Sequence, residues 1–231
     1  MIKIKHLSFA YDKADILHNI NLNIQKGELI GIIGESGSGK TTLMNLILGE
    51  LTPVQGTIDI NSPRILPIFQ QATQSFNPKL TIKASLIEPL KYYANAEHSF
   101  DQVVLPLMSQ LDLDSQLLTR YPDQVSGGQL QRFNVLRTVM LQPDVLICDE
   151  ITSSLDVVAE QKLVEKLKAI HNQQQTTMII ISHDIAMLNQ IVERMIVIQN
   201  GQIVDDFKTK QLFDESRHSY TKELIAAYNE N

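Results

Sequence analysis

Gly34-Glu35-Ser36-Gly37-Ser38-Gly39-Lys40-Thr41 follows an apolar stretch, Leu29 to Ile33, and precedes the spaced apolar residues Leu43, Met44 and Ile47, closed by Gly49. The order is strand, glycine-rich turn, helix, which is the setting a phosphate-binding loop requires. Glycines let backbone N–H groups converge on phosphate oxygens, and the helix N-terminus adds the positive end of its dipole. Lys40 supplies a mobile charge, and the Thr41 hydroxyl can ligate magnesium. The stretch predicts an α/β fold that binds a nucleoside triphosphate. Kinases, switches, motors and pumps share this loop, so the rest of the chain has to choose among them.

Ser126-Gly127-Gly128-Gln129 opens a second helical pattern, in which Leu130, Phe133, Leu136, Val139 and Met140 recur at helical spacing and Pro143 marks the exit. This is another small-residue turn at a helix start, again suited to an anion. One nucleotide does not easily use two such sites in one monomer. Asp144-Val145-Leu146-Ile147-Cys148-Asp149-Glu150 is an apolar run ending in two acids, as expected of a buried parallel strand whose C-terminal end faces a ligand. Thr177 to Ile181 is a largely β-branched run ending in Ser182-His183-Asp184, which places His183 at another such edge.

Val125 to Gln129 closely resembles the Leu-Ser-Gly-Gly-Gln signature of ATP-binding cassette (ABC) ATPases, and the resemblance extends along almost the whole chain. It implies a P-loop ABC ATPase core with an N-terminal antiparallel β-subdomain and an inserted helical subdomain, acting on ATP with Mg2+. The resemblance assigns ATP contacts to Gly34, Glu35, Ser36, Gly37, Ser38, Gly39, Lys40, Thr41 and Thr42. Ser126, Gly127, Gly128 and Gln129 would cap the γ-phosphate of ATP held by the other subunit, so the implied catalytic unit is a dimer. Asp149 would join Thr41 in the magnesium shell, usually through water, and Glu150 would polarise the attacking water. His183 would contact the γ-phosphate. Gln70, in Phe69-Gln70, matches the Q-loop glutamine that reaches magnesium; Gln71 is equally polar, but the Phe-Gln pairing favours Gln70. The chemistry agrees, because charge spreads over the γ-phosphoryl oxygens in flight and catalysis needs a metal, donors and a positioned base. Tyr11 occupies the place of the aromatic that stacks on adenine, a contact worth about 0.5 to 1.5 kcal/mol. Ile151-Thr152-Ser153-Ser154-Leu155-Asp156 matches the D-loop at the dimer interface. Ile151 stands where the family usually has proline, which bears on the rigidity of that loop rather than on catalysis.

Composition narrows the setting. With 231 residues, 43% of them apolar, the chain can bury one substantial core. Neither a signal peptide nor a run of the roughly 20 apolar residues that cross a bilayer is expected, so transport must happen through another protein. The net charge of −6 argues against broad nucleic-acid binding. Cys148 is the single cysteine, read as a small buried hydrophobe, and His6, His18, His98, His171 and His218 show no metal-ligand spacing. A single domain, 1–231, is expected, with a core lobe of 1–70 and 142–231 and a helical subdomain of 71–141. Its helical pattern is predicted to break at Pro89, Pro106 and Pro122. Met195 to Gln199, Asn200-Gly201 and Gln202 to Asp205 read as a hairpin, and Lys40 and Asp149 are expected to meet at adjacent strand ends.

Finer resemblance lies in Phe69-Gln70-Gln71-Ala72-Thr73-Gln74-Ser75-Phe76-Asn77-Pro78, in Leu80-Thr81-Ile82 and in Ile87-Glu88-Pro89-Leu90. These look like the peptide and nickel importer branch. Arg217-His218-Ser219-Tyr220-Thr221-Lys222-Glu223-Leu224 is similar to that branch's His-Pro-Tyr-Thr segment, with Ser219 replacing proline. Without the cysteine-bearing extension of many peptide-importer ATPases, the chain looks most like the shorter second ATPase of nickel or metallophore importers. An oligopeptide or dipeptide importer ATPase is the alternative, and a soluble ABC ATPase outside transport a more distant one. The resemblance implies a peripheral subunit at the cytoplasmic face of the membrane. Its implied partners are a second, different ABC ATPase, two permease subunits and an extracellular solute-binding protein.

Overall fold

The computed structural model describes residues 1–231 except 13, 63, 94–98, 154, 230 and 231; His98 therefore lies outside the described residues. The chain opens with strands β1 (Ile2–Tyr11), β2 (Ala14–Ile24) and β3 (Leu29–Ile33), then helix α1 (Lys40–Leu48) and strands β4 (Gln55–Ile60) and β5 (Ile65–Ile68). Three helices follow, α2 (Ile82–Tyr93), α3 (Phe100–Gln110) and α4 (Gly127–Val139). Strands and helices then alternate as β6 (Val145–Asp149), α5 (Val157–Gln174), β7 (Thr177–Ile181), α6 (Ile185–Ile191) and β8 (Arg194–Gln199), closing with β9 (Gln202–Lys208) and α7 (Ser219–Asn229).

All five residues of β3 are buried, as a parallel strand covered on both faces must be. It sits inside a six-stranded sheet of order β5-β6-β7-β3-β8-β9, beside a three-stranded antiparallel sheet of order β2-β1-β4. The six strands run parallel except β9, which returns antiparallel to β8 through the predicted turn at Asn200 and Gly201, both at positive φ. Pro67 is accommodated because β5 is an edge strand.

The period of two along each strand divides one apolar run between two cores. Ile30, Ile32, Ile147, Ile179 and Ile196 face α1 and the antiparallel sheet, while Leu29, Ile33, Leu146, Ile180 and Val197 face the helices. Gly31 lies in the second set. A Cβ there would stand 3.1 Å from the side chains of Leu188 and Val192, so the missing side chain lets α6 close on β3. Cys148 is fully buried, and burial pushes its thiol up to about 12, which makes it a packing residue. Phe133 of α4 is 0% exposed. Phe133→Ala is expected to cost about 3 to 5 kcal/mol of stability, seen as a lower urea midpoint at unchanged m-value.

Two expectations need correction. Pro89 and Pro106 do not break their helices but lie inside α2 and α3. The carbonyl that Pro89 cannot serve, that of Ser85, accepts instead from Arg137 Nε at 3.3 Å. Pro106 and Gln102, four residues before it, are both exposed, which leaves the carbonyl that lost its donor open to solvent. Pro122 begins a short 3-10 turn, where its missing N–H costs nothing. Further, the strands leading to Lys40 and Asp149 are not neighbours: β7 runs between them. Ile32 and Asp149 both register against Ile181, so the acids face the phosphate loop across the end of β7.

Candidate active site

The loop after β3 is shaped by close approach. A Cβ at Gly34 would lie 2.2 Å from the Ile198 carbonyl oxygen, which excludes any side chain, and Gly37 and Gly39 adopt φ of 81° and 107°. Gly39 is the N-cap of α1 and offers no side-chain bond, leaving the first N–H groups of the helix for an anion. Lys40 is 6% exposed, and its Nζ donates to the Gly34 and Glu35 carbonyl oxygens at 2.7 and 2.8 Å. Burial pulls this ammonium below the usual lysine range, against the opposing pull of Glu150, Asp149 and Glu35. The Ser38 hydroxyl is buried beside it, with no hydrogen-bond partner among the described residues. Thr41 is exposed at the start of α1 and Thr42 is buried. A polar cradle with an orphaned hydroxyl and a restrained cation has the chemistry that suits an anion such as phosphate.

Across the sheet edge, Asp149 ends β6 and burial raises its carboxyl above the ordinary range; Glu150 adds to the rise and Lys40 opposes it. Glu150 has φ 46°, a left-handed conformation uncommon for a residue with a long side chain. Its N–H donates to the Ile181 carbonyl at 2.9 Å, and the Ser153 amide and hydroxyl donate to its own carbonyl. The strained backbone turns the carboxylate toward two sequence-predicted residues. Gln70 Nε2 donates to Glu150 Oε2 at 3.3 Å, and His183 Nδ1 lies 3.5 Å from Oε1. Gln70, Glu150 and His183 are thus one cluster. Ser153 joins them by accepting from Gln70 Nε2 at 3.0 Å, a link with no local signal in the sequence.

The loop after Glu150 does not need the family's proline. Ile151 is buried in the core, and the buried Gln131 donates its Nε2 to the Ile151 carbonyl at 2.9 Å. Asp156 accepts from the Ala159 amide and caps α5. Tyr11 ends β1, is 47% exposed and meets Phe9 edge to face at 4.8 Å. Ser126 and Gln129 form a reciprocal capping box on α4. Their hydrogen bonds remain within that first turn, so among the described residues the turn is not joined to the phosphate loop of its own chain. A Cβ at Gly127 would meet nothing within 4 Å, and one at Gly128 would meet only Leu155 at 3.9 Å. Neither glycine has positive φ, so among the described residues nothing requires glycine at either place.

Residues 17–153 match the family profile described as ABC transporter. The chain belongs to the ABC transporter ATPases. It is 50% identical over 232 residues to the nickel import system ATP-binding protein NikE of Staphylococcus aureus (strain USA300), covering 99% of this chain and 100% of that one. Among solved structures it is similar to the dimeric bacterial ABC transporter cassette MJ0796, with a TM-score of 0.80 at 28% identity, 90% of this chain and 99% of that one. A dimeric post-hydrolysis state of the same cassette bound to ADP and Pi matches with a TM-score of 0.79 at 27% identity and the same coverage. As an ABC ATPase, the chain binds and hydrolyses ATP.

Proposed function

We propose that this ABC ATPase drives import of nickel or a nickel chelate. The observation that carries the cargo is the end-to-end 50% identity to a nickel import ATP-binding subunit. In this reading ATP lies on residues 34–42, with Tyr11 against the base, and Ser126, Gly127, Gly128 and Gln129 serve the site of the opposite subunit. Glu150 orients the attacking water and takes up its proton. His183 and Gln70 hold the carboxylate in line, a role supported by their hydrogen-bond contacts to it.

Thr41, Gln70 and Asp149 suit Mg2+: all are oxygen donors, and a half-buried carboxylate beside a second one favours a hard cation. When bound, that ion would neutralise charge on the phosphates.

The proposed division is a core lobe of 1–70 and 142–231 with a helical subdomain of 71–141. Among the described residues no helix is long and apolar enough to cross a membrane. The work of ATP would therefore pass to two permease subunits from the cytoplasmic face, with a second ABC ATPase completing a heterodimer and an extracellular binding protein delivering cargo. A groove of about 530 Å³ beside Gln70, lined by Phe69, Gln74, Ser75, Pro89, Asn134 and Arg137, suits a permease segment. Asn134 Nδ2 donates to the Phe69 carbonyl at 3.3 Å, which links the helix behind Ser126 to the strand end bearing Gln70.

Uptake of labelled nickel and of labelled dipeptides in cells expressing the complete system decides the cargo. Nickel uptake lost on deleting this subunit, with peptide uptake unchanged, is expected; the reverse would replace nickel by peptide. Gln74→Glu, which adds a charge, and Arg137→Glu, which reverses one, are expected to leave ATP affinity within about twofold while abolishing co-purification with the permeases. Normal assembly and uptake in both variants would remove the groove from this role.

A further inference from the structure

The Gly34-Glu35 peptide is held from both sides. Its carbonyl, that of Gly34, accepts from Lys40 Nζ at 2.7 Å, and its N–H, that of Glu35, donates to the Tyr220 hydroxyl at 3.0 Å. Tyr220 comes from α7, 185 residues along the chain, and is 4% exposed. Its placement is itself engineered by β9. Asp205 Oδ2 accepts from the His218 amide at 2.9 Å and the Thr221 hydroxyl at 3.0 Å, while Oδ1 accepts from Arg217 Nη1 at 3.3 Å. Thr221 is fully buried, and the Arg217 guanidinium lies 4.3 Å from the centre of the Phe207 ring. One carboxylate thus ties three of the five residues 217–221 and delivers the phenol between them to the phosphate loop.

The two clamps differ in what nucleotide does to them. Lys40 is the charge that a phosphate draws away, so the carbonyl side of the peptide loses its donor on binding. Tyr220 has no such competitor. We infer that Tyr220 is a positioning residue for ATP binding: its hydroxyl fixes the Gly34-Glu35 peptide, and with it the entrance of the phosphate loop, after Lys40 turns to the nucleotide. The inference rests on the reading that residues 34–42 hold ATP. Held by Lys40 and Tyr220 in the empty loop and by Tyr220 alone in the filled one, the peptide depends more on the phenol once nucleotide is bound, so loss of the Tyr220 bond appears in affinity. It does not touch the reacting atoms, so the chemical step at saturation is spared.

The test is Tyr220→Phe in the full-length chain, which removes the acceptor and keeps the ring. Equilibrium titration with a methylanthraniloyl-labelled ATP is expected to show a dissociation constant raised about three- to tenfold, the size of one net hydrogen bond. Turnover at saturating ATP should stay within about twofold and exchange of the Glu35 amide should accelerate, with β3 amides unchanged. Thr221→Val, which loosens the segment but keeps the phenol, should raise the constant less and add nothing in the Tyr220→Phe background. Should Tyr220→Phe not fold, the Thr221→Val titration and the Glu35 exchange rate in that variant carry the test. An unchanged dissociation constant, or equal losses of stability and turnover without a change in affinity, overturns the inference. Lys40→Ala separates the two levels: if it too binds normally, the nucleotide reading of the loop fails, whereas its loss of binding beside a normal Tyr220→Phe sinks Tyr220 alone.

Discussion

Lys40→Ala abolishes tight ATP binding, while Glu150→Gln keeps the affinity and loses turnover by about 100- to 10,000-fold, the range for removal of a general base. The two outcomes diverge because the two charges act at different stages. Lys40 is restrained by the loop's own carbonyls and burdened by burial, so its ammonium is poised to exchange those oxygens for phosphate oxygens. Removing it strips the cradle of its cation and leaves Asp149 and Glu150 facing phosphate uncompensated. A charged hydrogen bond is worth about 1.5 to 3 kcal/mol, so the affinity falls by about tenfold to 150-fold from that contact alone. Glu150→Gln instead preserves side-chain size and leaves the backbone bond to the Ile181 carbonyl in place. Gln70 and His183 keep a neighbour of the same shape, and only the basic oxygen is gone. Nucleotide titration and single-turnover hydrolysis must be measured separately. Turnover by Glu150→Gln comparable to the parent removes Glu150 from the role assigned to it.

What could be read in advance divides along a physical line. The phosphate loop, the two acids at the end of β6 and just after it, and His183 after β7 announce themselves because each is a local pattern: an apolar run sets the strand, and the next residues fall at its C-terminal edge. The β8–β9 hairpin is legible for the same reason, since Asn-Gly dictates the turn. Strand order is not local: β7 lies between β3 and β6, pairing segments far apart in sequence. Pro89 misleads because the rule against proline in helices assumes an orphaned carbonyl, whereas Arg137, 52 residues beyond Ser85 in sequence, supplies the donor that the Ser85 carbonyl lacks. The left-handed φ of Glu150 escapes as well, since propensity alone disfavours it and only the contacts around it hold it there. Ser153 and Tyr220 lie inside segments already singled out, but their partners Gln70 and Glu35 are 83 and 185 residues away.

Ser126→Arg silences the phosphate loop of the opposite subunit and leaves the loop of its own chain occupied. The grounds are the two glycines behind it. Among the described residues Gly127 and Gly128 meet no obstruction that would need glycine, and neither has positive φ, so their small size leaves room for something outside the chain. Ser126 caps α4, and the turn exposes a helix N-terminus that its own phosphate loop does not use. Losing the cap costs about 1 kcal/mol, too little to unfold the chain, while an arginine in that space blocks closure of a partner over the γ-phosphate. Dimers with the second ATPase decide the arrangement, Ser126→Arg in this chain being combined either with the loop lysine-to-alanine change in the partner ATPase or with Lys40→Ala in this chain. With the lesions in different subunits, both fall on the same composite site, and the other site remains whole; about half of the ATP turnover survives if the sites act independently. With both lesions in one subunit, each composite site contains one, and turnover is lost. Activity that survives in the second arrangement and disappears in the first means that each turn serves its own chain, and the composite site is wrong.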